Sequence, residues 1–177
     1  FAGESQMKSL RLLMPVLSVA VLTLAAALPW GLAAEDRFVL PLLPVIAIYQ
    51  WTLDPDAWLP EWAIFIAGLT LDVLTQGPLG YWALVYLFTY IVALFASRVP
   101  AETAARRMAL LAGAIVAVTG FSWALASFYF LQLLDWQPYA RSTLITILAA
   151  FVLVPLLSVF RFRSRPARGI RLTRGGG

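Results

Sequence analysis

The sequence predicts an all-α integral membrane protein, a bundle of six transmembrane helices. Hydrophobic residues make up 62% of the 177 residues and charged residues only 12%, whereas soluble domains have about 45–50% and about 25%. The apolar residues are also grouped into long runs that short polar or proline-rich segments separate. A water-soluble fold of this size could not bury so much apolar surface, but a bilayer accepts it on the outside of the bundle.

Six runs come close to the roughly 20 apolar residues that a hydrocarbon core of about 30 Å requires. The predicted spans are 10–31, 38–53, 60–76, 79–97, 108–134 and 144–160. The second and third spans are short, and the acidic segment 54–61 separates them. Merging them into one helix would place two prolines and three carboxylates inside it, so we predict two spans. A bundle of four spans is the alternative.

Two residues of the acidic segment predict where the neighbouring helices begin. Asp54 is placed to cap a helical turn that starts at Pro55, because aspartate accepts hydrogen bonds from free backbone N–H groups. Pro60 suits the first turn of the third helix, where its missing N–H costs nothing.

The two ends of the chain carry no predicted fold. Residues 1–6 are interpreted as an expression-tag remnant ahead of a natural start at Met7, and the last three glycines as a linker stub. The run that begins at Leu10 is too long for a signal peptide, so it is kept as a helix. Residues 161–177 are predicted to form a basic cytoplasmic tail.

The basic residues predict the orientation. With six spans and an inside N-terminus, eleven of the thirteen basic residues lie inside and only Arg37 and Arg141 lie outside. Both termini are therefore predicted to be cytoplasmic. Six of the basic residues lie in the tail, directly after an apolar helix, which favours contact with anionic lipid over binding of nucleic acid.

The composition argues against catalysis. The chain has no cysteine and no histidine, and its only lysine is Lys8, which removes thiolates, imidazole bases and most metal sites. Intramembrane catalysis usually needs a pair of carboxylates, a dyad or a metal site. We therefore expect no enzyme, no catalytic or metal-binding residue and no cofactor.

The third span contains the main candidate site. Gly68, Asp72 and Gln76 are four residues apart and lie on one helical face. Asp72 is the only carboxylate well inside a span, where insertion costs about 2.5–3.5 kcal/mol. It could bind a proton, cation or substrate, or it could be a polar staple that hydrogen-bonds a neighbouring backbone. The staple is favoured, because no second intramembrane charge is available as a partner.

A tight turn is predicted directly after this span. In the segment Gly77-Pro78-Leu79-Gly80 the glycines supply backbone freedom and the proline a fixed φ.

This segment resembles the MreD family, the rod-shape-determining membrane proteins of bacteria. That family has a hydrophobic helix ending in Gly-Leu-x-x-Asp-x-x-x-x-Gly-x-x-Gly before another apolar helix. The matching positions here are Gly68, Leu69, Asp72, Gly77 and Gly80. The similarity extends over nearly the whole chain in layout, through its length, six spans, proline-containing second span and basic tail.

The resemblance implies a non-catalytic component of the bacterial cell-elongation machinery in the inner membrane. MreD-like proteins pair with MreC, a single-span periplasmic scaffold protein. They belong to a larger complex with the RodA glycosyltransferase, its penicillin-binding transpeptidase and the actin-like MreB. The family's fold is also similar to the substrate-binding subunit of energy-coupling-factor vitamin transporters. The alternative is therefore a membrane subunit that binds a small molecule inside the bundle.

The fifth span carries small residues at Gly113, Ala117, Gly120 and Ala124. Their spacing puts them on one face, where another helix could approach closely. The sequence leaves open whether that helix belongs to this chain or to a partner.

Most tryptophans fall at predicted span ends, as an interfacial aromatic belt requires. They are Trp30, Trp51, Trp58, Trp62, Trp82 and Trp136, together with Tyr139. Trp123 lies in the middle of a span and is predicted to pack inside the bundle.

Overall fold

A computed structural model describes the backbone of residues 2–28, 31 and 39–162, and the side chains of 13–28, 31 and 39–157. The described residues form six α-helices and no strand. The helices are α1 Ala2–Ala27, α2 Val39–Thr52, α3 Glu61–Leu74, α4 Tyr81–Ala96, α5 Ala104–Tyr129 and α6 Gln137–Phe162. The prediction of an all-helical chain is confirmed for this part of the sequence.

The helix ends follow capping groups more closely than they follow hydropathy. Helix α5 begins before the apolar run because the Thr103 side chain accepts a hydrogen bond from the backbone N–H of Arg106. It ends before the run does, because Leu131 adopts a left-handed φ of 52°. Helix α6 begins at Gln137, whose N–H donates to the Asp135 carboxylate at 3.1 Å. Pro60 is the N-cap of α3, one position before the first helical residue.

Helices α2 and α4 form the centre of the bundle. Helix α2 contacts α1, α4, α5 and α6, and α4 contacts α2, α3 and α5. The α2–α4 pair therefore lies in the middle, with α1 and α3 packed on one side of it and α5 and α6 on the other. Helix α2 is apolar all round, as a buried helix should be, and its residues 45–49 are almost completely buried.

Three tyrosines of α4 tie it to three neighbouring helices. The Tyr81 hydroxyl donates to the carbonyl of Ser122 on α5 at 3.0 Å. The Tyr86 hydroxyl donates to the carbonyl of Pro41 on α2 at 2.9 Å, and the Tyr90 hydroxyl donates to a carboxylate oxygen of Glu61 on α3 at 3.0 Å. Interhelical hydrogen bonds of this kind add to the packing of an apolar bundle.

The tryptophans do not form one belt. Trp51 and Trp82 are buried, with 7% and 6% of their surface exposed, and the Trp51 indole donates to the Ser18 hydroxyl at 2.7 Å. Their assignment to an interfacial belt is therefore wrong, because both pack between helices. Trp58, Trp62 and Trp136 are exposed. Trp30 lies outside the described residues.

Within the described residues, two helices are long and apolar enough to cross a membrane. They are α5 and the part of α6 from Gln137 to Leu157. Shorter apolar helices are found at Leu13–Ala27, Val39–Thr52 and Tyr81–Ala96. Helix length and hydropathy together therefore identify two spans among the described residues, not six.

Candidate functional site

Asp72 caps the first turn of α4 from the neighbouring helix α3. Its side chain is fully buried. One carboxylate oxygen accepts the N–H of Gly80 at 2.9 Å, and the other accepts the N–H of Trp82 at 2.9 Å. The first N–H groups of a helix have no partner within it, and the N-cap residue of α4, Gly80, has no side chain to supply one. Asp72 therefore accepts the hydrogen bonds that the side chain of an N-cap residue normally accepts.

Gly68 allows this contact, because it lets the backbones of α3 and α4 touch. A Cβ atom at Gly68 would lie 2.3 Å from the Cα of Ala83 and 2.8 Å from the carbonyl carbon of Trp82. These are backbone atoms, which cannot move aside as a flexible side chain can. Gly68 and Asp72 are one turn apart on α3, and together they hold the start of α4. We call Gly68, Asp72 and the first turn of α4 (residues 80–83) the α3–α4 clamp.

Helix α3 ends in a Schellman motif, a pair of backbone hydrogen bonds around one left-handed residue. The N–H of Gly77 donates to the carbonyl of Asp72 at 3.0 Å, and the N–H of Gln76 donates to that of Val73 at 3.3 Å. The left-handed residue is Gln76, with φ 53°. Gly77 has no left-handed φ, so the expectation that Gly77 supplies such freedom is wrong.

A second turn leads from Pro78 into α4. The N–H of Tyr81 donates to the carbonyl of Pro78 at 3.1 Å. Gly80 has φ 90° and ψ −7°, values that the third position of a type II turn requires and that favour glycine. The turn predicted at 77–80 is thus two consecutive turns, and only the second depends on a glycine conformation.

The clamp offers little space for chemistry. Asp72 is closed off from solvent, and its carboxylate accepts hydrogen bonds from the backbone N–H groups of Gly80 and Trp82. In the part of the chain that the structure describes, no group of three or more acidic, cysteine or histidine residues is placed to hold a metal ion. The arrangement can orient α4 and interact with the positive end of its helix dipole.

The small-residue face of α5 is uncovered. Gly113, Ala117, Gly120 and Ala124 are all exposed. A Cβ atom added at Gly113 or Gly120 would meet nothing within 4 Å. No helix among the described residues packs closely on this face. The sequence left open whether the packing helix belongs to this chain or to a partner, and none of the described helices of this chain fills that place.

Two apolar cavities lie between helices. One, of about 200 Å³, lies between α1 and α3, and the other, of about 240 Å³, lies between α5 and α6. Both volumes are below the roughly 300–1,000 Å³ typical of small-molecule sites. The first is lined by residues that include Val16, Ala20, Thr23, Trp62 and Ile66.

Sequence reasoning did not identify the groups that donate hydrogen bonds to Asp72. The N–H groups of Gly80 and Trp82 are backbone groups that no side-chain motif reveals, and Gln76 gives no sign of a left-handed conformation. A signal was present at Tyr81, because a tyrosine in a span needs a hydrogen-bond partner.

The predicted lipid-binding tail lies outside the described residues, apart from the backbone of 161–162 at the end of α6.

Comparison of the chain with protein-family models, with curated proteins and with solved structures finds no match.

Proposed function

We propose that this chain is a six-span protein of the bacterial inner membrane with both termini in the cytoplasm. The observation in support is how little of the apolar helix surface is covered. Only 33% of the apolar window of α5 is buried, and only 22% of that of α6. The core helix of a soluble protein would be mostly buried, since water contact with apolar surface costs about 25 cal/mol per Å².

The charged side chains support the same proposal. Of those described, only Asp72 lies deep in the bundle, and the clamp satisfies it. The others lie in loops or near helix ends, where the headgroup layer and water can solvate them. The basic residues of the α4–α5 connection and the next helical turn, Arg98, Arg106 and Arg107, are all exposed.

Within that membrane, the chain acts as a non-catalytic component of the cell-elongation machinery that binds an MreC-like single-span scaffold protein. A RodA-type glycosyltransferase and its transpeptidase belong to the same complex. The observation that carries this proposal is that Gly68, Asp72 and Gly80, three positions of the MreD-like motif, meet in one structural unit. A motif that fixes the angle between two helices suits a protein whose task is to present a surface.

The uncovered face of α5 is the surface we assign to the partner. Small residues let two helix backbones approach closely, and in a bilayer such packing drives association. The short connections between helices leave no room for a soluble binding domain among the described residues. Recognition therefore takes place largely within the bilayer.

Co-purification from membranes tests this function. With a tag on this chain only, we expect a single-span periplasmic scaffold protein to be retained in mild detergent. Gly120→Leu should abolish retention while the variant alone stays as stable as the wild type. Ala105→Leu, an exposed position at the start of α5, is the matched control and should retain the partner.

The alternative function, a vitamin-type transporter subunit, makes a different prediction. The purified chain alone would bind a vitamin-like ligand with micromolar or tighter affinity, and an ATPase-coupled module would co-purify. Either result would replace the scaffold-binding proposal.

A further inference from the structure

The helices of this bundle differ greatly in length. Helix α3 has 14 residues and α4 has 16, which correspond to about 21 and 24 Å at 1.5 Å per residue. Helix α5 has 26 residues, or about 39 Å. A hydrocarbon core of average thickness measures about 30 Å, so the short helices fall below it and α5 exceeds it.

Polar groups fix the apolar band of α3 at both ends. Glu61 is exposed at one end and accepts a hydrogen bond from Tyr90. Gln76 is exposed at the other end, where the chain leaves the helix. Between them most outward side chains are apolar, among them Phe65, Ile66 and Val73, which are 40–62% exposed. Thr75 is exposed as well, and its hydroxyl donates to the Leu71 carbonyl. This lipid-facing band measures about 22 Å.

Contacts between α4 and α5 show where the difference in length lies. The connection between them, residues 97–103, is short, so the end of α4 and the start of α5 lie near one level. At the opposite end, the Tyr81 hydroxyl reaches Ser122. The remaining α5 residues, 123–129, rise about 10 Å beyond that level. The α3–α4 turn is therefore recessed relative to the α5–α6 turn.

Tilting the bundle cannot remove this mismatch. A tilt lets a long helix fit a thinner bilayer, but it shortens the projection of every helix at once. The value of about 22 Å for α3 is thus an upper limit on its hydrophobic thickness. The turn after α3 is disfavoured in the hydrocarbon, since the polar side chain of Gln76 is exposed there and irregular backbone is not tolerated against lipid.

We propose that the outer face of α3 and α4 binds short-chain phospholipids and locally thins the bilayer, while α5 and α6 match a layer of ordinary thickness. The proposal rests on the proposed insertion of the chain into a membrane. It adds a lipid preference to the side of the bundle that α3 and α4 form, next to the clamp.

Reconstitution into vesicles of defined thickness tests the proposal. The full chain is inserted into phosphatidylcholine vesicles with dimyristoleoyl, dioleoyl or dierucoyl chains, in order of increasing thickness. Flotation first shows whether the chain inserts at all. Because α5 and α6 can tilt to fit a thin layer, whereas the band of about 22 Å cannot lengthen to fit a thick one, we expect the thermal unfolding midpoint to be highest in dimyristoleoyl lipid. It should fall by about 5 °C or more in dierucoyl lipid.

Two variants that each remove one exposed charge separate thickness matching from other effects of lipid. Glu61→Leu removes the charge that ends the apolar band of α3 and should move the optimum toward the dioleoyl vesicles. Arg106→Leu, on the already long α5, should leave the optimum unchanged. An optimum in dioleoyl or dierucoyl lipid for the wild type, or equal shifts for both variants, would overturn the inference. Failure to float with any vesicle would instead refute the membrane proposal itself.

Discussion

Replacing Gly68 by alanine tests the clamp with the smallest possible change. The added Cβ would lie 2.3 Å from the Cα of Ala83 and 2.5 Å from its nitrogen, whereas carbon atoms in contact lie about 3.5–4.0 Å apart. The two helices must therefore separate by about 1 Å. The hydrogen bonds that the N–H groups of Gly80 and Trp82 donate to the Asp72 carboxylate, both 2.9 Å long, would then be stretched or lost.

The size of the effect follows from these contacts. Overpacking costs about 1–3 kcal/mol, and a buried N–H that loses its acceptor costs about 1–3 kcal/mol more. Alanine recovers about 1 kcal/mol, because it favours the helix more than glycine does. The expected net destabilisation for Gly68→Ala is about 1–5 kcal/mol. In a chain of this length, that lowers the unfolding midpoint by about 2–20 °C.

Thermal unfolding of the purified protein in one detergent measures this effect, and the chain supplies its own control. Gly113→Ala makes the same change in a helix where the new Cβ meets nothing within 4 Å. That variant should be as stable as the wild type or gain up to about 1 kcal/mol. The reasoning is refuted if Gly68→Ala and Gly113→Ala unfold at the same temperature.

Four further substitutions test the same region by the same unfolding assay. Asp72→Asn keeps the shape but turns an amide N–H₂ toward a backbone donor, so we expect a loss of about 1–3 kcal/mol. If it folds and binds the proposed partner normally while the proposed function in cell elongation is lost, Asp72 has an ionisable role instead. Gly80→Val should destabilise the protein far more than Gly77→Val, because Gly80 has a left-handed φ and Gly77 does not. A Cβ at Gly77 would contact the Thr75 hydroxyl at 3.4 Å, which is nearly an ordinary distance. A similar loss for both would contradict the two-turn description. Gln76→Gly should stabilise the chain by about 0.5–1 kcal/mol, since glycine takes a left-handed φ without strain; a loss would show that the Gln76 side chain is needed.

Hydropathy and motif reasoning placed the helices well but not their ends. Apolar runs reveal how many helices a chain contains, since lipid and core both select for apolar residues. Ends are decided by local hydrogen bonds, such as the Asp135 carboxylate at the start of α6 and the left-handed Leu131 after α5. These effects involve one or two residues, so they disappear when hydropathy is averaged over a window of many residues.

The candidate site was predictable in its residues but not in its geometry. The spacing of Gly68 and Asp72 puts them on one face of α3 from sequence alone. What they touch depends on how α4 packs against α3, which local sequence does not encode. The same limit explains Trp51 and Trp82, whose positions at span ends gave no sign that they pack between helices.

The apolar runs predicted the relative lengths of the helices in part. They gave a short second and third span and a long fifth span, and α2 and α3 have 14 residues each whereas α5 has 26. Buried and lipid-facing positions are both apolar, so composition cannot separate a short central helix from a full span. Helix α2, short and almost fully buried, shows this most clearly.

The number of membrane crossings is the central claim, and the loop between α2 and α3 decides it. Six spans place this loop in the cytoplasm, whereas four spans formed by α1, α4, α5 and α6 leave it outside the cell. The chain has no cysteine, so Asp56→Cys puts a single thiol at an exposed position of this loop. Glu102→Cys and Gln132→Cys, also exposed, serve as the inside and outside references. In intact cells, an impermeant maleimide should label Gln132→Cys alone, and permeabilised cells should show labelling of all three; labelling of Asp56→Cys in intact cells would contradict the six-span bundle.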